Sequence, residues 1–412
     1  MNESVKRIPL DTRASFAWRG YLRAAQPHLI ALAVFLASRL VVLLAMFFAA
    51  KYMQQNPKDE FWNVNSSWYH YLLRYDAGWY LRIARDGYSF DGNVFIEQPV
   101  IFYPLYPLLS RLLFTAFGID FNPAVLIVAN VAILISIPLY SKLLLEEFGE
   151  EVALFGVALI SFFPASLFFT AAYTESLTFL FIVVFFLLLR RQQFLLASCS
   201  AGLAVATRST GIVLLLPLLW ELWRAHSQQA GPRSLRLGRL FILKTLVCTA
   251  VATSGLWLYM IFLWRVFGAP FAFMTGQQAW LHGNQVGSRF VEMITLQPFK
   301  YLSAICYQGP TPNTLDPWFF LLFVALILAA GRRLPLSYKL FGLGVLLLPY
   351  VTVSSVLGFR SFTRYAMLAF PAFVVLGKLF QERLWLGIVT LGLFAAMLFM
   401  YSAMFAQWYW AG

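Results

Sequence analysis

Apolar runs of membrane-spanning length alternate along the chain with short polar connections. The runs fall at about 29–50, 122–145, 151–171, 174–191, 241–267, 315–331, 338–357, 365–381 and 384–408. A helix crosses a hydrocarbon core of ~30 Å in about 17–25 residues, so each run is predicted to be one transmembrane helix. Residues 194–223 break the rhythm. Arg190 and Arg191 precede them, and Arg224, Arg233, Arg236, Arg239 and Lys244 follow. Both ends therefore read as cytoplasmic, and one helix cannot return to its starting side. Two shorter helices are expected here, broken between Thr207 and Gly211, with Arg208 at the tip inside the membrane. Irregular backbone is tolerated at that depth only where protein covers it or it lines a cavity. The pattern predicts an all-α polytopic membrane protein: a bundle of about nine to eleven transmembrane helices.

Residues 51–121 form a long loop on the far side of the first span, rich in aromatic residues and predicted to carry interfacial helices around 65–86 and 103–117. Pro99, Pro104 and Pro107 limit helix before the second. With ~100° per residue, a helix over Tyr69–Asp86 puts Leu72, Trp79, Tyr80 and Ile83 on one apolar stripe with Asp76 in its middle. Arg74, Arg82 and Arg85 fall opposite. A carboxylate on such a face is held against protein or membrane, where an unpaired charge is costly. Arg39 sits in the middle of the first span, either paired structurally or facing a site. Glu175 lies at a turn, as a helix-start residue near Thr174 or as an acid at the mouth of the bundle. Trp408-Tyr409-Trp410 reads as an interfacial anchor.

Composition agrees with this picture. Of 412 residues, 60% are hydrophobic and 12% charged, against roughly 25% charged in soluble domains; the mean hydropathy is +0.71. The net charge of +13 is spread among loops, so it sets topology and is not a nucleic-acid surface. Residues 1–28 are basic and predicted to be cytoplasmic; residues 29–412 are expected to form a single transmembrane domain, with outer loops at 51–121 and 268–314. The first apolar run reads as a retained span and not a signal peptide. Cys199, Cys248 and Cys306 imply no disulfide framework.

Three polar clusters are expected on the outer side: the Asp76 loop, the 268–314 loop with Gln277, Trp280, His282 and Arg289, and the turn carrying Arg360 and Arg364. A carboxylate on an apolar face is a candidate general base. Arginines at the lipid boundary can hold a phosphate bidentately, although each taken singly also reads as a topological or headgroup contact. Gly78 and its aromatic neighbours would let a lipid-linked or sugar substrate approach. The chain contains no GxxxxGK[ST], HExxH, CxxC or GxSxG motif. Its four histidines are scattered, and Asp86, Asp91 and Glu97 would need further oxygen ligands to hold a cation. No metal or cofactor is expected.

The stretch Arg74-Tyr-Asp-Ala-Gly-Trp-Tyr-Leu-Arg-Ile-Ala-Arg-Asp-Gly-Tyr88, followed by Glu97 and Phe102-Tyr-Pro-Leu-Tyr-Pro107, resembles the PIG-V family of GPI mannosyltransferase 2 and its bacterial relatives. Ala206-Thr-Arg208-Ser-Thr-Gly211, Phe267-Gly-Ala-Pro-Phe-Ala-Phe273 with Gln277 and Trp280, and Thr363-Arg-Tyr365 with Phe370-Pro371 are similar to later patterns of that family. Tyr75 stands where a Trp is usual, and Tyr103 where a second Phe is common. The resemblance implies a GT-C-type glycosyltransferase in the bacterial inner membrane, active on the extracytoplasmic face. It would take a sugar, mannose above all, from a polyprenyl-phosphate donor and transfer it with inversion to a lipid, glycan or protein acceptor. It implies Asp76 as the catalytic base. Arg364, Arg360 and Arg208 would bind the donor phosphate, with Tyr365, Glu97, Trp79, Tyr80, Gln277 and His282 lining the substrate site. A transporter or flippase of lipid-linked sugars is the alternative, since broken spans suit it too; a membrane scaffold would leave Asp76 unexplained.

Overall fold

The computed structural model describes residues 11–56, 67–229, 235–280, 315–353 and 361–411. Among them there is no strand, and the predicted all-α, multi-pass architecture holds. In chain order the helices are α1 (Asp11–Tyr52), α2 (Asp76–Asp86), α3 (Leu105–Phe117), α4 (Phe121–Phe148), α5 (Glu150–Phe162), α6 (Glu175–Arg190), α7 (Phe194–Thr207) and α8 (Leu215–Gln229). They continue with α9 (Leu235–Ala252), α10 (Ser254–Phe267), α11 (Ala272–Trp280), α12 (Asp316–Ala329), α13 (Leu336–Val353), α14 (Phe362–Leu368), α15 (Pro371–Glu382) and α16 (Leu384–Ala406).

Three helical segments among the described residues are long and apolar enough to cross a membrane: Ala25–Tyr52 within α1, α4 and α16. Counting each bent pair as one span, α9 with α10 (55°) and α14 with α15 (73°), gives up to five. Helix length alone therefore does not fix the number of crossings, because several apolar runs are interrupted inside. Residues 151–171, expected as one span, are α5 followed by a 3-10 turn, Pro164–Phe169. Pro164 has no N–H to continue the helix. Arg39, 8% exposed, sutures this break. Its guanidinium donates to Ser161 O (2.9 Å), Ser166 O (2.5 Å), Ser166 Oγ (2.8 Å) and Thr170 Oγ1 (2.8 Å). It lies over the Phe35 ring, at 4.6 Å. Its role is structural: it satisfies carbonyls that a helix end leaves open.

The break expected at Thr207–Gly211 is present. α7 ends at Thr207, Arg208 is extended (φ −158°, ψ 140°), and a 3-10 turn over Ser209–Leu214 leads into α8. That turn lies directly on α7, since a Cβ on Gly211 would come within 2.5 Å of Ala204 C and Val205 N. On α10, Gly255 presses equally close to Gly202 O and Ala206 N. α7 is thus gripped by backbone from two neighbours. Phe163 packs among Phe319, Phe323, Phe373 and Phe394 at centroid distances of 5.0–5.6 Å, tying α12, α15 and α16 to the α5 break.

α6 runs between two groups of charges. Glu175 opens it. At its far end Arg190 Nε meets Glu147 Oε1 (2.8 Å) and Arg190 Nη1 meets Glu221 Oε1 (3.5 Å), while Arg224 Nε reaches Glu221 Oε2 (2.9 Å).

In the 51–121 region α3 lies where expected, but the helix predicted over 69–86 does not form as one piece. A 3-10 turn, Trp68–Leu72, precedes α2, and Tyr75 between them has φ 53° and ψ −119°. Asp76 therefore opens a helix and does not sit in mid-stripe. Arg74, expected opposite the apolar stripe, is 2% exposed, whereas Arg82 and Arg85 are exposed as predicted. Trp408 is 7% exposed and packs against this loop, so it is not a free interfacial anchor.

Candidate active site

Four charged side chains from four separate elements meet at one end of the bundle. Asp76 is the first residue of α2, where a carboxylate faces the positive end of the helix dipole. Its side chain is 21% exposed, and Oδ2 accepts from Arg364 Nη1 at 3.0 Å. Glu175, the first residue of α6, is completely buried. Its Oε1 accepts from Arg364 Nε and from Arg208 Nη1. Its Oε2 is buried with no hydrogen-bond partner among the described residues. Two carboxylates and two guanidiniums leave the cluster formally neutral.

The arginines are fixed by aromatic rings. Arg364 lies over Tyr173 (4.5 Å) and Phe168 (4.9 Å), and Arg208 over Tyr365 (5.0 Å). These are cation–π distances, strengthened by desolvation. Arg364 is further placed by the start of α14. The buried carboxylate of Asp316 accepts from Ser361 N (2.8 Å), Thr363 N (2.6 Å) and Thr363 Oγ1, so it caps the helix one residue before the arginine.

Next to this cluster Tyr80 is buried, its OH 3.5 Å from Thr174 Oγ1 and its ring edge-on to Phe102 and Tyr106. Burial raises the Tyr80 phenol above its ordinary range, with Asp76 adding to the effect. Trp79 stacks on Phe102 at 5.8 Å, and Arg82 lies over the Trp79 ring at 5.7 Å. Arg74 donates Nε to Ala406 O (3.1 Å) and lies over the Trp408 ring (4.7 Å). Burial lowers its guanidinium to about 10, so it stays cationic at neutral pH.

Of the residues singled out from sequence, Asp76, Arg208 and Arg364 share one cluster, with Tyr365 and Tyr80 bordering it. Glu97 is exposed in the α2–α3 loop. Gln277 is half-buried on α11, which packs against the Pro99–Ile101 turn: a Cβ on Gly276 would sit 3.0 Å from Val100 Cγ2 and 3.2 Å from Ile101 Cγ2. His282 and Arg360 lie outside the described residues, as does most of the 268–314 loop. Glu175, which reads from sequence as a helix start or an acid at the bundle mouth, is not among the expected site residues; its place beside Tyr173 is the available signal. Among the described residues no group of three His, Cys, Asp or Glu side chains is placed to hold a metal ion.

No protein-family model matches the chain. Over 164 residues it is 32% identical to GPI mannosyltransferase 2 of Drosophila melanogaster, an alignment covering 34% of this chain and 35% of that protein. The chain thus spans about a third of the length of this curated relative. Among solved structures, it resembles the oligosaccharyltransferase of Archaeoglobus fulgidus, solved with Zn and sulfate, at a TM-score of 0.47 and 13% identity, covering 90% of this chain and 53% of that one. The archaeal oligosaccharyltransferase AglB from Archaeoglobus fulgidus, in complex with an inhibitory peptide and a dolichol-phosphate, gives 0.42 and 14%, covering 90% and 55%. By sequence, the chain is similar to GPI mannosyltransferase 2 over about a third of its length, and its Asp76 loop and later motifs resemble that family.

Proposed function

We propose that the chain is a membrane glycosyltransferase of GT-C type, a mannosyltransferase above all. It transfers a sugar from a polyprenyl-phosphate donor to an extracytoplasmic acceptor with inversion. The reading rests on one observation: a partly exposed carboxylate, Asp76, shares an ion pair with Arg364, and Arg364 shares Glu175 with Arg208. A base and two phosphate-type cations therefore stand within one side chain of each other. Asp76 takes the proton of an acceptor hydroxyl as its oxygen bonds to the anomeric carbon. The bond from that carbon to the phosphate oxygen breaks, and its electron pair leaves with the polyprenyl phosphate. An ionised phosphate needs no acid to leave, so one carboxylate suffices when cations stabilise the leaving charge. Arg364 and Arg208 supply that charge. The relative's name, GPI mannosyltransferase 2, supports the reaction class.

The test uses the purified full chain in proteoliposomes with radiolabelled polyprenyl-phosphate mannose and an extract of membrane lipids and glycans. Asp76→Asn is expected to lower transfer by about 10³-fold or more while donor binding persists. Arg364→Ala is expected chiefly to weaken donor use. Full transfer by Asp76→Asn would sink the mechanism, and an unchanged donor requirement in Arg364→Ala would remove its phosphate role.

A further inference from the structure

The backbone immediately before Asp76 is held in a conformation that a tyrosine does not choose. Tyr75 has φ 53° with ψ −119°, away from the small left-handed region open to L-residues. Such geometry persists only where the surroundings over-determine it. Those surroundings are the end of α16 and the segment that follows it. The Tyr75 ring meets Trp410 edge-on at 4.9 Å, Trp408 at 5.2 Å and Phe405 at 5.8 Å. Its neighbour Arg74 is tied to the same segment through Ala406 O and the face of Trp408. The Arg74 carbonyl accepts from Tyr173 OH at 3.0 Å.

The segment is itself anchored. Gln407 O accepts from Asn56 N (2.9 Å), Trp408 O from Asn56 Nδ2 (3.0 Å), and Gln407 Nε2 donates to Ala49 O (2.7 Å). Ala49 of α1 and Asn56 just beyond it thus hold the 405–410 segment, and Arg74 and Tyr75 pack on that segment. Asp76 is the next residue. If Tyr75 relaxed to negative φ, the chain would enter α2 in another direction, and the Asp76 carboxylate would leave Arg364.

We propose that Trp408 and Trp410 are positioning residues: by bracing Tyr75 they hold the Asp76 carboxylate on Arg364. The inference rests on the glycosyl-transfer reading above for the meaning of that placement. Trp410 also meets Phe168 at 6.2 Å, the ring beneath Arg364, and Trp408 lies against Arg74, so a Tyr75→Gly background is needed to separate the brace from these routes.

The test is a double-mutant cycle in the full chain, with Trp410→Ala made in the Tyr75 and in the Tyr75→Gly backgrounds. Glycine adopts positive φ without side-chain penalty and so does not need the brace. In the Tyr75 background Trp410→Ala is expected to lower kcat about tenfold, with donor KM changed less than about twofold, the signature of a displaced base. In the Tyr75→Gly background the same change is expected to cost less than about twofold. Equal losses in both backgrounds, or no loss in the first, overturn the proposal. Hydrogen exchange gives a readout that needs no donor. The amides of Ala77 and Gly78 donate to Arg74 O (3.2 Å) and Tyr75 O (2.9 Å). Trp410→Ala is expected to speed their exchange about tenfold while the amides of α6 are unchanged. Unaltered exchange at 77 and 78 overturns the brace. Absence of transfer by the unmutated protein overturns the proposed function instead, and exchange then still decides the brace.

Discussion

Glu175 holds two guanidiniums on a single oxygen, and nothing else in the cluster does as much. Removing a partner from a buried pair leaves an uncompensated charge, at a cost of about 3–5 kcal/mol. Here the loss would leave Arg208 and Arg364 with Asp76 as the remaining carboxylate of the cluster. Glu175→Gln is therefore expected to lower thermal stability by an amount of that order and to cut transfer more than it weakens folding. Thermal unfolding and transfer rate on the same purified sample check both; unchanged stability would mean that the arginines find another counter-ion. The amino-acid sequence made Asp76, Arg208 and Arg364 legible one at a time: an acid among aromatics, an arginine inside an apolar run, an arginine at a turn. Their meeting was not legible. Arg364 and Glu175 are 189 residues apart and Asp76 is 288 from Arg364, and helical periodicity carries no information over such separations.

The breaks between elements matter as much as the helices. Loop charge alone predicted the one at Thr207–Gly211, because two basic flanks cannot lie on one side of a single span. The turn there sits on the α7 backbone, and a methyl group on Gly211 has no room. Gly211→Ala is expected to push the turn off α7, destabilise the protein by about 1–3 kcal/mol and displace Arg208 from Glu175. Reduced thermal stability with an increased donor KM would bear this out, while a fully stable variant would show that the turn can yield. The break at Tyr75 was illegible for the opposite reason. Local periodicity favours one helix through 69–86, and contacts from distant residues, 405–410 and Tyr173 among them, override it. Pro164 was visible as a breaker, but that Arg39 would close the gap it opens needed the folded structure.

At the scale of the whole molecule, α6 acts as a strut. It joins the Asp76–Glu175–Arg208–Arg364 cluster to the Glu147–Arg190–Glu221 cluster. An apolar run of this length predicts a membrane-crossing helix, but it does not predict one this short with charge at both ends. From Glu175 to Arg190 the rise is about 22 Å at 1.5 Å per residue, less than the ~30 Å of an average hydrocarbon core. No residue of α6 is exposed, so neighbouring helices and not lipid surround most of that rise. The spacing of the two ion clusters is thus set inside the protein, insulated from the thickness of the membrane around it.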